Sequence, residues 1–138
     1  MTAADLNPDL HDKMIRMGEA ARLGAKALAN ATTDAKNAAL KGAADAIRDQ
    51  ATIIMDANTR DVATARKAGT TGAFIDRLLL DPDRIEAMAK GLESIIDLDD
   101  PIGKIIFETT RPNGLHITRV RVPLGVIGVI YESRPNVT

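Results

Sequence analysis

Through the first two thirds of the chain, apolar and small residues recur at intervals of three and four, which puts them on one face of a helix. Met14, Met17, Ala21, Gly24 and Leu28 share such a face, with Arg16, Glu19, Arg22 and Lys26 around the remainder. The spacing predicts a long first helix. Thr32 and Thr33 interrupt it and offer an N-cap for a second helix, whose stripe is Ala39, Leu40, Ala43, Ala44 and Ile47. Residues 50–67 repeat the pattern with Ile54, Ala57, Val62 and Ala65, and Gly69 supplies the residue that most easily takes the left-handed conformation ending a helix. Three antiparallel helices are expected.

Asp81-Pro82 reads as an N-cap followed by the first helical residue, because proline lacks an amide hydrogen that the first turn cannot use. A further helix through Ile85, Met88, Leu92 and Ile95 follows. From Pro101 the period changes to two: Ile105 and Phe107, then Leu115, Ile117, Val120 and Val122, with Pro112-Asn113-Gly114 as turn chemistry between them. That predicts a hairpin with alternating faces. Residues 124–130 are apolar almost throughout, as in a strand covered on both sides, and Gly125 and Gly128 allow close approach of another backbone or a ligand. The architecture expected is α/β, with helices over about 8–97 and strands over about 104–131.

Composition narrows the class. The chain has 138 residues, 45% of them hydrophobic and 27% charged, as a folded domain with an ordinary core carries. Its 18 basic and 19 acidic residues are interspersed, so no strong field recruits nucleic acid or an anionic membrane. No run approaches the length of a bilayer span and no secretory leader opens the chain, so the expected location is the cytoplasm. Cysteine is absent, which removes disulfides, thiolate metal sites and a cysteine nucleophile from these residues. His11 and His116 lack a second ligand at metal spacing and read as surface residues.

Candidate chemistry gathers at the turn Tyr131-Glu132-Ser133-Arg134-Pro135-Asn136. At the carboxyl end of a buried strand these side chains would face the crevice where open sheets bind ligands, offering a hydroxyl, a carboxylate, a guanidinium and an amide together. Gly125-x-x-Gly128 is not a phosphate-binding fingerprint, because both glycines lie within the predicted strand and no helix start follows them. Asn58 and Asp61, one turn apart beside the apolar stripe of the third helix, call for partners, and helix-to-loop hydrogen bonds are the usual ones.

The run from Val122 to Thr138, Val-Pro-Leu-Gly-Val-Ile-Gly-Val-Ile-Tyr-Glu-Ser-Arg-Pro-Asn-Val-Thr, closely resembles a stretch of the gamma-glutamyl phosphate reductases, the glutamate-5-semialdehyde dehydrogenases of the aldehyde dehydrogenase superfamily. Upstream, Ala57-Asn58-x-x-Asp61-Val62-x-x-Ala65-Arg66, Asp76-Arg77-Leu78 and Asp100-Pro101-x-Gly103 are similar to that family's N-terminal helical region in the same order. The resemblance covers nearly all of this chain but only the N-terminal part of the family's length.

The fold it implies is aldehyde dehydrogenase-like: residues 1–138 as the N-terminal part of the NADP-binding domain, with a helical bundle, a hairpin leading toward the oligomer-forming β-extension, and the first strand of the cofactor sheet. The activity it implies is NADPH-dependent reduction of L-glutamyl 5-phosphate to L-glutamate 5-semialdehyde in proline biosynthesis, through a cysteine thioester. A homo-oligomer and glutamate 5-kinase are the implied partners. Asn136 would give an oxyanion-hole amide, while Tyr131, Glu132, Ser133 and Arg134 would lie on the cofactor side, with Arg134 suited to an anionic group. Lacking the nucleophilic cysteine and the catalytic domain, the chain alone is expected to be inactive. The alternative is a non-catalytic helical interaction module or truncated product that associates with a partner subunit.

Overall fold

The computed structural model describes residues 8–131 and 134–137. They separate into two compact units, residues 8–32 with 100–128, and residues 33–99 with 129–131 and 134–137.

In the first unit, α1 (Pro8–Ala29) begins on a proline, carries Asp9 in its first turn and Lys26 in its last, and so complements its own dipole. Asn30 donates from Nδ2 to the Lys26 carbonyl at 3.2 Å, which satisfies one open group of the last turn. The expected apolar stripe exists but is uncovered, with Met14, Met17 and Leu28 all more than half exposed. The hairpin follows as β1 (Ile105–Thr110) and β2 (His116–Val120), paired antiparallel.

Its turn forms as the sequence indicates. The Gly114 amide donates to the Arg111 carbonyl at 2.9 Å, the Leu115 amide donates to Asn113 Oδ1 at 3.1 Å, and Gly114 sits at φ 85°, where a side chain would be strained. Strict alternation does not hold along the whole hairpin. Phe107 faces Arg119 and Ile105 faces Val120, so one extra residue is accommodated on β1 between Ile105 and Phe107. The bulge lies on β1, so on the unbroken β2 Ile117 and Val120, three apart, point to opposite faces.

Residues 124–130, expected as a strand, form none. A strand needs a neighbour to hydrogen-bond, and among the described residues none is offered to this segment. Leu124 is 89% and Ile130 fully exposed, and Gly125 takes φ 88°, outside the extended region. The strand region therefore ends near residue 120 rather than 131.

The second unit holds α2 (Thr33–Asp49), α3 (Ala51–Lys67), α4 (Ala73–Leu78) and α5 (Pro82–Ile96). α2 begins at Thr33, which puts Thr32 at the N-cap position. Its principal partner within the unit is α5 rather than α3, the helix that follows it in sequence, so the close antiparallel neighbour expected of α2 is not the one found. Ala44 and Ala89 are fully buried beside Ile85, and such small side chains allow two helices to approach closely.

Arg48 then fastens the pair. Its Nε and Nη2 each lie 2.9 Å from Glu86 carboxylate oxygens, while Nη1 and Nη2 lie 2.5 and 2.9 Å from those of Glu93. Glu86 and Glu93 are two turns apart on one face of α5, so a single planar guanidinium reaches both.

α3 ends as expected: Gly69 stands at φ 84°, its amide donates to Arg66 at 3.0 Å, and the Thr70 amide donates to Ala65 at 3.0 Å. This pairing closes the last carbonyls of the helix.

Candidate functional site

The short α4 and the start of α5 form a corner. Asp81 caps α5, its Oδ1 accepting from the Arg84 amide at 2.8 Å, with Pro82 in the first turn. Arg84 turns back over the corner, donating to the Leu79 carbonyl at 2.8 Å, to the Asp76 carbonyl, and to Asp76 Oδ1 at 2.9 Å.

Asn58 secures the corner from α3. Its Nδ2 donates to the Leu78 carbonyl at 2.7 Å and its Oδ1 accepts from the Leu80 amide at 2.8 Å. At 4% exposure it is the buried polar residue of the described core, and both ends of its amide are satisfied by backbone. This is the helix-to-loop role anticipated from the sequence. Asp61, singled out with it, is exposed instead.

The corner forms one side of a cleft of about 1160 Å³ within the second unit. α2 and α5 supply an apolar floor, including Ala43, Ile47, Met88 and Leu92. Arg134 and the short 3-10 turn Pro135–Val137 line it as well. The structure thus brings Arg134 and Asn136 to the same cleft as Asp76, Arg77 and Arg84. Arg134 and Asn136 are both exposed. Tyr131 is half exposed and is not among the lining residues, and Glu132 and Ser133 lie outside the described residues.

Arg77 stacks over the Phe74 ring, 5.7 Å from its centroid. Sequence reading missed α4 as an element, because Phe74, Ile75 and Leu78 span barely one turn, too short for a period to show. The signal was Gly72, at φ 59°, followed eight residues on by Leu80 and the Asp81-Pro82 cap, brackets that leave room for only a short helix.

Glu93 first, then Glu86, hold the Arg48 guanidinium well above its usual range, and Arg48 in turn holds both carboxyls below theirs. These groups are partly exposed and serve to fasten the helices rather than to react. His116 lies on the hairpin with Nδ1 3.1 Å from Thr110 Oγ1 and Nε2 3.7 Å from Glu108, so a carboxylate does sit beside it, although the residues are eight apart. Among the described residues no group of three or more histidine, aspartate or glutamate side chains is placed to hold a metal, and no helix is long and apolar enough to cross a membrane.

The chain is thus helix-rich, with an antiparallel hairpin after the helices in sequence and a polar turn that lines a cleft. No protein-family model matches the chain. It is, however, 52% identical over its whole length to the gamma-glutamyl phosphate reductase of Brucella anthropi and 54% identical over 136 residues to that of Parvibaculum lavamentivorans.

Solved structures agree. The gamma-glutamyl phosphate reductase of Thermotoga maritima superposes with a TM-score of 0.85 at 43% identity over 88% of this chain. That of Saccharomyces cerevisiae gives 0.80 at 32% identity over the same share. In sequence and fold the chain is homologous to the N-terminal portion of gamma-glutamyl phosphate reductases. It spans 32% of the length of the two curated relatives and about 30% of the solved chains.

Proposed function

We propose that this chain is the N-terminal portion of an enzyme that reduces L-glutamyl 5-phosphate to L-glutamate 5-semialdehyde with release of phosphate, in L-proline biosynthesis. The observation that carries the reading is the 52% identity that extends along all 138 residues, the turn included. The nicotinamide cofactor, NADPH in this reading, supplies the hydride that reduces the acyl group. The nucleophile that displaces phosphate lies outside this chain, which has no cysteine.

The chain's own residues bind and orient. Asn136, exposed at the cleft, offers an amide donor for the oxygen that gains charge when the acyl carbon becomes tetrahedral. Arg134 offers a planar cationic fork suited to a phosphate-bearing group. In this reading Tyr131 serves the cofactor, as would Glu132 and Ser133, which lie outside the described residues. A guanidinium and an amide at one cleft are a donor set that fits an anionic cofactor or an acyl phosphate.

The test uses the full-length protein that begins with these residues. With glutamate semialdehyde, phosphate and NADP+, it should form NADPH in the reverse direction, and this chain alone should form none. Asn136→Ala in the full-length protein should lower turnover by about 100-fold, the loss typical of one oxyanion donor. A folded full-length protein without this activity would overturn the reading.

A further inference from the structure

Nothing in the catalytic reading draws on the hairpin turn, which holds a reactive pair of its own. Of the six asparagines in the chain, Asn113 is the one followed by glycine. Asn7, Asn30, Asn37, Asn58 and Asn136 precede proline, alanine, alanine, threonine and valine. The carboxamide carbon of an asparagine can be attacked by the backbone nitrogen of the next residue. A β-carbon on that residue crowds the approach, and glycine leaves it open.

The structure adds two conditions to the sequence pair. Residues 111–116 are all exposed, so water and solvent base reach the turn. Asn113 Oδ1 already accepts from the Leu115 amide at 3.1 Å. When Gly114 nitrogen bonds to Asn113 Cγ, negative charge develops on Oδ1, where that amide stands ready to receive it. The bond that competes, from the Gly114 amide to the Arg111 carbonyl at 2.9 Å, joins two exposed residues, and exchanging it for water costs little. Asn58 offers the contrast: it is buried, with both ends of its amide held by backbone. Asn37 lies within α2, where the helix fixes the backbone around it.

We propose that Asn113 is a site of self-modification, at which Gly114 nitrogen closes a five-membered imide that water then opens to aspartate or isoaspartate. Gly114 nitrogen gives its proton to solvent base and forms the bond to Cγ. The bond from Cγ to Nδ2 breaks, and the nitrogen leaves as ammonia after taking a proton from water. Water then adds to one of the two imide carbonyls, so the sequence consumes one water, releases one ammonia and involves no oxidant or reductant. Opening at Cγ gives aspartate, which keeps an acceptor for the Leu115 amide and brings a negative charge two residues from Arg111. Opening at the backbone carbonyl gives isoaspartate, whose main chain runs through the side-chain carbon. That extra atom falls inside the turn closed by the Gly114 amide on the Arg111 carbonyl and the Arg111 amide on the Leu115 carbonyl, each at 2.9 Å.

The experiment keeps the full-length protein that begins with these residues native in mildly alkaline buffer at physiological temperature, followed by tryptic digestion and mass spectrometry. The peptide spanning residues 105–119 stays whole, because Arg111 precedes proline, and Asn113 is its one asparagine. It should gain about one mass unit and separate into two chromatographic peaks, isoaspartate and aspartate. Conversion should be at least about tenfold faster than at Asn37 or Asn58, and Gly114→Ala should slow it by about tenfold.

Alanine at φ 85° is strained even though no atom lies within 4 Å of its β-carbon, so the parent protein unfolded in guanidinium chloride supplies a second comparison. The native form should convert at least as fast as the unfolded one, in which the Leu115 donor is no longer held at Oδ1. An Asn113 that keeps its amide in the native protein while the unfolded one converts would overturn the proposal. So would aspartate as the sole product, which would exclude the imide, or equal rates at Asn113, Asn37 and Asn58.

Discussion

At the scale of single residues, Asn58 ties α3 to the α4–α5 connection from the interior of the second unit. A helix interior is an unfavourable place for asparagine, whose short amide competes for backbone hydrogen bonds. Here the competition is directed outward: the amide binds the Leu78 carbonyl and the Leu80 amide, two groups of the α4–α5 connection, while its own helix continues. Asn58→Leu should therefore strand a donor and an acceptor in the interior and cost about 2–4 kcal/mol in urea unfolding, with each orphaned group contributing about 1–3 kcal/mol.

Asn58→Asp keeps the acceptor for Leu80 but turns a second oxygen toward the Leu78 carbonyl, and should be destabilising as well. A cost below 0.5 kcal/mol for the leucine variant, roughly that of an ordinary surface change, would mean that the connection is held by something else. This residue was legible in the sequence as a polar group beside an apolar stripe. What the sequence did not name was its partner, because backbone groups 20 and 22 residues away leave no mark in composition.

Among elements, the pairing of α2 with α5 is the contact on which the second unit depends, and the Arg48 fork is its polar component. Glu86 and Glu93 have folded pKa values below the usual carboxylate range, because Arg48 donates to their ionised forms. The unfolded chain therefore binds protons at these sites more readily than the folded one. Their stabilisation is present above the unfolded carboxylate range and is lost as pH falls through the folded values. Arg48→Met should flatten the acid limb of a stability-against-pH curve measured by thermal unfolding, with the largest difference from the parent near neutral pH. An acid limb of unchanged slope would count against the fork as its source.

The helices themselves were readable from periodicity and caps: Asp81 and Gly69 stand where the sequence put them. Their partners were not. Periodicity fixes which face of a helix is apolar but not which neighbour it meets, and α2 skips two helices to find α5.

For the molecule as a whole, the clearest property is apolar surface without cover. Val122, Leu124, Ile127 and Val129 are each at least 65% exposed in a stretch whose backbone groups have no partners among the described residues. Such a segment combines high strand propensity with absence of charge, the features that favour pairing between chains. The sedimentation coefficient of the 138-residue chain should rise with concentration, and Ile127→Lys should suppress the rise by placing a charge in the run. Identical behaviour of the parent and the lysine variant would locate association elsewhere.

The sequence predicts a strand over residues 124–130, and the structure forms none. Their conformation could not follow from the sequence, since a strand is a property of two segments, and a hairpin encodes its own partner whereas this run does not. The candidate site shows the same division. Arg134 and Asn136 were found from the turn chemistry, whereas Arg77 and Arg84 joined them through a corner built from distant parts of the chain.

The manner in which Asn58 holds that corner bears on how such a domain can diversify. Its two bonds run to peptide groups at positions 78 and 80, and peptide groups are the same whatever side chains they carry. Substitutions at Leu79 and Leu80, both of which line the cleft, leave the tether intact. The course of the wall is thereby inherited separately from its chemistry, so descendants of this sequence can exchange what the cleft recognises while retaining the frame that presents it.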